Sequence, residues 1–266
     1  HTIACIPGQV DFELRALVWS VVEEEKGRLF GISRKGFIFE VDFARLSFKN
    51  VQESYGGAAW CISARPGSAT LAVGSEDGSS RLFSYADKDL HYVKTHPTTG
   101  SRILSIAYHP SKTKLFLGCS DGTVRCIDAD TGKSLFRITG DLTRGGTTLF
   151  WSLIVLSDST IVTGDNRGHV QLWDGEAGVL MISFHQHTAE VLALAASPDE
   201  SQVYASGVDS RVTCIQRLRN RARSGSNLSA SRSVIMTSSG TGTGSGGNYG
   251  DESHPTDGQW VYTTSH

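Results

Sequence analysis

Several short stretches carry residue types that could do chemistry. Thr131–Ser134 reads TGKS, the ending of a phosphate-binding loop whose backbone N–H groups cradle phosphate. That loop needs glycine five residues before Gly132, and Ile127 stands there, so the stretch reads as a turn between strands. Gly242–Gly247, GTGSGG, has the spacing of a dinucleotide-binding turn. It follows no strand, opens no helix and lies in low-complexity sequence, which removes the context that the chemistry requires. His185 and His187 would share one side of an extended strand, but no further ligands stand near at metal-binding spacing. Cys119 and Cys126 flank a hairpin and could face each other, with packing thiols the expectation. Asn227–Ser229 fits a glycosylation acceptor, which matters only in a secreted protein. No carboxylate pair, nucleophile elbow or histidine cluster adds a catalytic centre. The expectation is a non-enzyme without metal or cofactor.

One charge pattern remains. Arg217, Arg219, Arg221 and Arg223 alternate, with Arg232 beyond. Extended, they form a one-faced basic stripe suited to phosphate contact. The competing reading is a solvated loop root. The net charge of −2 excludes a strongly basic nucleic-acid binder, so RNA contact would be local. Five cysteines in an odd count, without zinc spacing, point to buried thiols in a reducing compartment. No apolar run approaches the roughly 20 residues of a membrane helix.

The elements that must position these residues recur along the chain. LFGISRKGFIFEVDF, LAVGSEDGSSRLFSY, LFLGCSDGTVRCIDA, IVTGDNRGHVQLWDG and VYASGVDSRVTCIQR each give a short apolar strand, a polar turn and a second strand. The turns close at Gly36, Gly78, Gly122, Gly168 and Ser210, which stand 42, 44, 46 and 42 residues apart. A preceding strand is expected to open at Trp19, Trp60, Leu104, Trp151 and Leu192, 17 or 18 residues before each turn. Five residues after each turn come Val41-Asp42, Phe83-Ser84, Ile127-Asp128, Trp173-Asp174 and Ile215-Gln216. Thr123–Asp128 alternates, with Val124 and Cys126 on one face and Ile127 on the other. Leu192–Ala196 is apolar on both faces, the pattern of a strand buried between two sheets.

Units of this length with four strands each are the mark of a β-propeller, and residues 11–218 resemble the WD-repeat family. Trp173-Asp174 is the namesake pair, and His187 to Val191 has the His-x-x-x-Val opening of such a unit. The family's internal tetrad is incomplete: the fifth copy offers His187, Ser206 and Asp209 but Ile215 in the tryptophan slot. The fourth offers Trp173 and Thr163 without an opening histidine. The fold class expected is all-β, with five intact blades of a seven-bladed WD-repeat propeller truncated at both ends. Residues 1–218 hold the blades, with His1–Cys5 as a loose outer strand. Residues 219–258 form a disordered Ser/Gly-rich insertion, and 259–266 give the outer strand of the fifth intact blade.

Tyr55–Phe83, Ser101–Asp128 and Leu149–Gly178 further resemble the first propeller of the Cirhin family. The shared details are an aromatic-Gly-Gly before Trp60, the run SRILS at Ser101–Ser105, SDSTIVTGD after Trp151, and a Gly-x-Ile-x-Glu exit at Gly36–Glu40. This resemblance implies a non-catalytic scaffold of the nucleolar small-subunit processome. Its partners would be proteins of the early-acting subcomplex and the 5′ external spacer of pre-rRNA, bound directly or through the complex. Small-subunit biogenesis, 18S rRNA maturation and a link to rDNA transcription follow from the same resemblance, with no membrane and no small-molecule substrate. A WD-repeat adaptor of another pathway, such as a ubiquitin-ligase substrate receptor, is the alternative.

Overall fold

The structure is a computed structural model that describes residues 5–6, 12–22, 27–87, 89–140, 146–217, 233–234 and 260–263. The first sheet holds β1 (Leu14–Ser20), β2 (Arg28–Ser33), β3 (Phe37–Asp42) and β4 (Ser47–Glu53). The second holds β5 (Ala59–Ala64), β6 (Thr70–Ser75), β7 (Ser80–Ser84) and β8 (His91–Thr95). The third holds β9 (Ile103–Tyr108), β10 (Lys114–Cys119), β11 (Thr123–Asp128) and β12 (Ser134–Thr139). The fourth holds β13 (Phe150–Val155), β14 (Thr160–Asp165), β15 (His169–Asp174) and β16 (Val179–His185). The fifth holds β17 (Val191–Ala196), β18 (Gln202–Gly207), β19 (Val212–Arg217), β20 (Ser233–Val234) and β21 (Trp260–Thr263), with β21 paired between β19 and β20. Every pairing is antiparallel.

The sheets follow one another around a centre. Their inner strands β1, β5, β9, β13 and β17 pack in succession, as the blades of a propeller do. Apolar side chains fill each seam: Phe30 and Leu71 between the first two sheets, Leu82 and Leu115 between the next two. Phe116 and Ile161 fill the third seam, and Leu172 and Val203 the fourth. The degenerate tryptophan slot has one use throughout. Phe83, Ile127, Trp173 and Ile215 all face the seam with the preceding sheet, so any large apolar residue serves.

The hairpin glycines answer a backbone need. Gly36, Gly78, Gly122 and Gly168 all sit at positive φ, between 78° and 87°. At Gly168 a Cβ would also stand 2.1 Å from the His187 carbonyl oxygen. The following turns are closed by carboxylates: Asp42, Asp128 and Asp174 each accept two backbone N–H bonds from the residues two and three positions on.

Two expectations are corrected. Trp19 does not open the first inner strand; it stands near the end of β1, against Gly27 and Phe43. Register settles the equivalence. Each inner strand bulges at its second residue, and these residues are Arg15, Trp60, Leu104, Trp151 and Leu192. Arg15 lies 21 residues before Gly36 because the loop after β1 is longer than its counterparts. The second correction concerns Leu192–Ala196. Val191 is buried, but Leu192 is 46% exposed, and among the described residues no sheet covers the far face of β17. Of the 219–258 segment only Ser233–Val234 is described, and His1–Ala4 lie outside the described residues.

Candidate functional site

The five bulged residues converge on the central channel, an open cavity of about 340 Å³ lined by all five inner strands. A bulge re-aims its side chain, and here it aims one residue per sheet at the axis. The residue after each bulge is small, and in the second, third and fourth sheets it ties its strand to the next. Cys61 Sγ donates to the Ile103 carbonyl at 3.6 Å, Ser105 Oγ to Phe150 at 2.8 Å, and Ser152 Oγ to Val191 at 3.1 Å. Opposite them stand Gly74, Gly118 and Gly164, where a Cβ would fall within 2.5 Å of the same sulfur or oxygen. These glycines are required for space rather than for φ.

Around Trp60 the channel mouth becomes charged. The guanidinium carbons of Arg15, Arg34 and Arg102 lie 5.6, 5.7 and 4.8 Å from its ring centroid. Its indole N–H donates to Glu76, whose other oxygen pairs with Arg102. The Trp151 ring is 6.4 Å away. Three donors here have no hydrogen-bond partner though the atoms are buried: Arg15 Nε, Arg102 Nε and Trp151 Nε1.

The hairpins beside the mouth are pinned by charge. Arg81 reaches back to Asp77 at 2.6 Å, and Arg125 to Asp121 at 2.8 Å. In the fifth sheet Thr213 takes the arginine's place, and His187 completes the set. Its Nδ1 meets Asp209 at 2.8 Å and its Nε2 meets Thr213 at 3.0 Å. The expected hydroxyl was Ser206; its neighbour strand supplies the partner instead, because Thr213 is buried beneath the ring. The hydrogen bond from His187 brings the Asp209 carboxyl down to about 2. In the fourth sheet Trp173 Nε1 donates to Thr163 Oγ1 at 3.0 Å, while Asp165 turns to His169 at 3.1 Å.

The other sequence candidates separate. His187 is buried, whereas His185 is exposed and stacks on His169 with centroids 4.3 Å apart, so the two do not share a face. Among the described residues no group of three or more His, Cys, Asp or Glu is placed to hold a metal. Cys119 and Cys126 lie on opposite faces of the third sheet, in different seams, and do not face each other. Burial pushes the Cys126 thiol up to about 12, and Cys61, Cys119 and Cys126 are buried thiols outside any disulfide. Thr131–Ser134 is the turn between β11 and β12, folded around Asp128 Oδ1. GTGSGG and Asn227–Ser229 lie outside the described residues. Arg217 pairs with Asp158 at 2.7 Å and covers the Trp260 ring at 5.6 Å; Arg219, Arg221 and Arg223 lie outside the described residues.

One constellation resembles a nucleophile with its base. Ser159 Oγ sits 3.1 Å from His109 Nε2, beside Lys112 and Glu176. His109 Nδ1, however, accepts the backbone N–H groups of Ser111 and Lys112 at 3.0 and 3.1 Å. The ring proton is therefore on Nε2, which donates to Ser159 and cannot take its proton. Burial and the neighbouring lysines hold His109 below its ordinary value, which keeps it neutral. Ser159 is a joint between the third and fourth sheets.

A family profile described as WD domain, G-beta repeat matches residues 88–128 and 178–215. Those two stretches are WD repeats set in a β-propeller fold. Each match runs from the outer strand of one sheet of the propeller to the third strand of the next, so the sequence unit straddles a seam. The propeller is 32% identical over 198 residues to human "U3 small nucleolar RNA-associated protein 4 homolog", covering 73% of this chain and 28% of that protein. It is 35% identical over 207 residues to "U3 small nucleolar RNA-associated protein 4" of Schizosaccharomyces pombe, covering 76% and 29%. The Saccharomyces cerevisiae protein of that name is 30% identical over 229 residues, covering 82% and 29%. The propeller thus spans less than a third of the length of these relatives.

Proposed function

We propose that this chain is the WD-repeat part of a Cirhin-family protein and a non-catalytic scaffold of the nucleolar small-subunit processome. In that role it supports pre-rRNA processing, 18S rRNA maturation and small-subunit biogenesis, with a link to rDNA transcription. The observation that carries the reading is identity of 30–35% over most of the chain to three proteins named for association with the U3 small nucleolar RNA. The physics agrees. A propeller whose sheets are locked seam by seam offers rigid faces and few free edges to several partners at once. Its partners are the proteins of the early-acting subcomplex and, directly or through them, the 5′ external spacer. The stripe Arg217, Arg219, Arg221 and Arg223 is our candidate for phosphate contact, with Arg217 anchored on Asp158.

Depletion of the full-length protein, with rescue by a tagged copy, tests this. The expected result is accumulation of unprocessed 18S precursor and co-purification of U3 small nucleolar RNA with the tag. Normal pre-rRNA processing after depletion overturns the reading. Ubiquitin-ligase subunits in place of U3 RNA would support an adaptor of another pathway.

A further inference from the structure

One motif of the sequence has no task in the scaffold reading: Tyr55-Gly56-Gly57, between the first two sheets. Its backbone is clamped from both sides. Ser54 donates its N–H to the Gly36 carbonyl at 2.6 Å and its Oγ to the Gly57 carbonyl at 2.8 Å, while Asp77 N–H donates to Gly56 at 3.3 Å. The clamp needs the glycines: a Cβ on Gly56 would stand 2.0 Å from Arg81 Nη1, and Gly57 has a φ of +75°. Tyr55 is no glycine, yet its φ is +57°, a left-handed conformation that strains a bulky residue. Ser54 and Gly56 on either side are buried, whereas Tyr55 is 60% exposed. The fold thus holds a strained tyrosine out in water, where burial offsets little of the strain.

The ring meets Tyr92 of β8 edge to face, with centroids 5.8 Å apart and planes at 77°. Tyr92 is itself 45% exposed and packs edge to face on the buried Phe83 at 5.9 Å. The pair is therefore rooted in the seam between the first two sheets and opens at its outer end. Two exposed rings at right angles make a corner, not a flat platform. A polyproline II helix, with three residues per turn, is a three-sided rod, and the ridge between two of its sides fits such a corner. Its carbonyls have no internal partners and take donors from outside. The hydroxyls of Tyr92 and Thr95 lie 2.9 Å apart; one proton is spent between them and the other is left to donate outward. Gln52 pairs with Ile38, a residue of the same seam, which sets it on the facing wall. We infer that this corner, at the rim of the propeller, binds a proline-rich extended segment of a partner protein. Single-stranded RNA fits less well. It needs cations beside its stacking surface, and Lys49 and Arg81 on this side are already paired with Glu40 and Asp77.

The test is fluorescence anisotropy of a labelled polyproline peptide, titrated with the full-length protein. Competitors are a Gly–Ser peptide of equal length and an oligouridylate. Tyr55→Asn removes the ring and supplies a residue that tolerates positive φ, so its melting temperature should equal or exceed that of the unsubstituted protein. Tyr92→Phe keeps the contact with Phe83 and removes the hydroxyl. Saturable binding is expected, weakened at least about tenfold by Tyr55→Asn and more mildly by Tyr92→Phe. Tyr204→Ala, at an exposed tyrosine of the fifth sheet, should leave it unchanged. Absence of saturable binding overturns the inference, as does full affinity in Tyr55→Asn or an equal loss in Tyr204→Ala. Should Tyr55→Asn lower the melting temperature, Tyr92→Phe decides, and full affinity in that variant overturns the inference. Tighter binding of the oligouridylate through Tyr55 overturns it in favour of RNA. The assay reads peptide binding alone, so its failure is separate from any failure of the processome reading.

Discussion

Ser152 Oγ donates to the carbonyl of Val191 across 3.1 Å, tying the fourth inner strand to the first residue of the fifth. Gly164 makes room for that bond: a Cβ there would lie 2.4 Å from Ser152 Oγ and 2.9 Å from Val191 Cβ. Gly164→Ala should therefore destabilise the protein by about 1–3 kcal/mol through overpacking. Ser152→Ala, which only removes one hydrogen bond, should cost about 1 kcal/mol. Urea denaturation midpoints check the order. Equal effects would mean that the backbone near Gly164 yields freely.

The Trp173–Thr163 pair invites a double-mutant cycle. Thr163→Val keeps the shape but leaves the buried indole N–H without its acceptor, at a cost of about 1–3 kcal/mol. Trp173→Phe then removes the stranded donor, so the double variant should lose less than the sum of the single losses. Strict additivity in chemical denaturation would show that the 3.0 Å bond contributes nothing.

Asp209 sets an acid dependence. Its carboxyl, brought to about 2 from an ordinary 3.8 by the hydrogen bond from His187, stays ionised in the fold after it would protonate in the unfolded chain. A lowered carboxyl contributes stability that is complete above about pH 4 and fades as pH falls toward 2. Asp209→Asn should flatten stability against pH over that window, read as the melting temperature at successive pH values. A slope unchanged by the substitution would remove Asp209 from the account.

The two hairpin pins should differ in strength. The side chain of Arg81 is 9% exposed and that of Arg125 23% exposed, while their aspartates are 42% and 34% exposed. Solvent screens both pairs, and Arg125 more than Arg81. Arg81→Ala should cost about 1–2 kcal/mol and Arg125→Ala less. Thermal melts of the two variants side by side decide it, and a larger loss at Arg125 contradicts the ranking.

The hairpins are legible in the sequence because their glycines answer a steric rule that acts locally. Gly36, Gly78, Gly122 and Gly168 need only their own φ to be recognised. The first inner strand is not legible in the same way. Trp19 imitates Trp60 and Trp151 by type, whereas equivalence is decided by the backbone bulge, which falls on Arg15. The Cys61, Ser105 and Ser152 ties escape for the opposite reason. Small residues carry no signal until strand register shows what lies across from them. The Trp60 cluster draws on residues 15, 34, 60, 76 and 102 from three sheets, a separation that no local spacing can encode.

The ties of the inner strands also have a direction. In each, the donor precedes the acceptor along the chain: Cys61 before Ile103, Ser105 before Phe150, Ser152 before Val191. On a ribosome, where the chain emerges from its N-terminal end, each sheet is left holding an unanswered proton until the first residue of its successor appears. Completion of one blade is thus a receipt issued by the next.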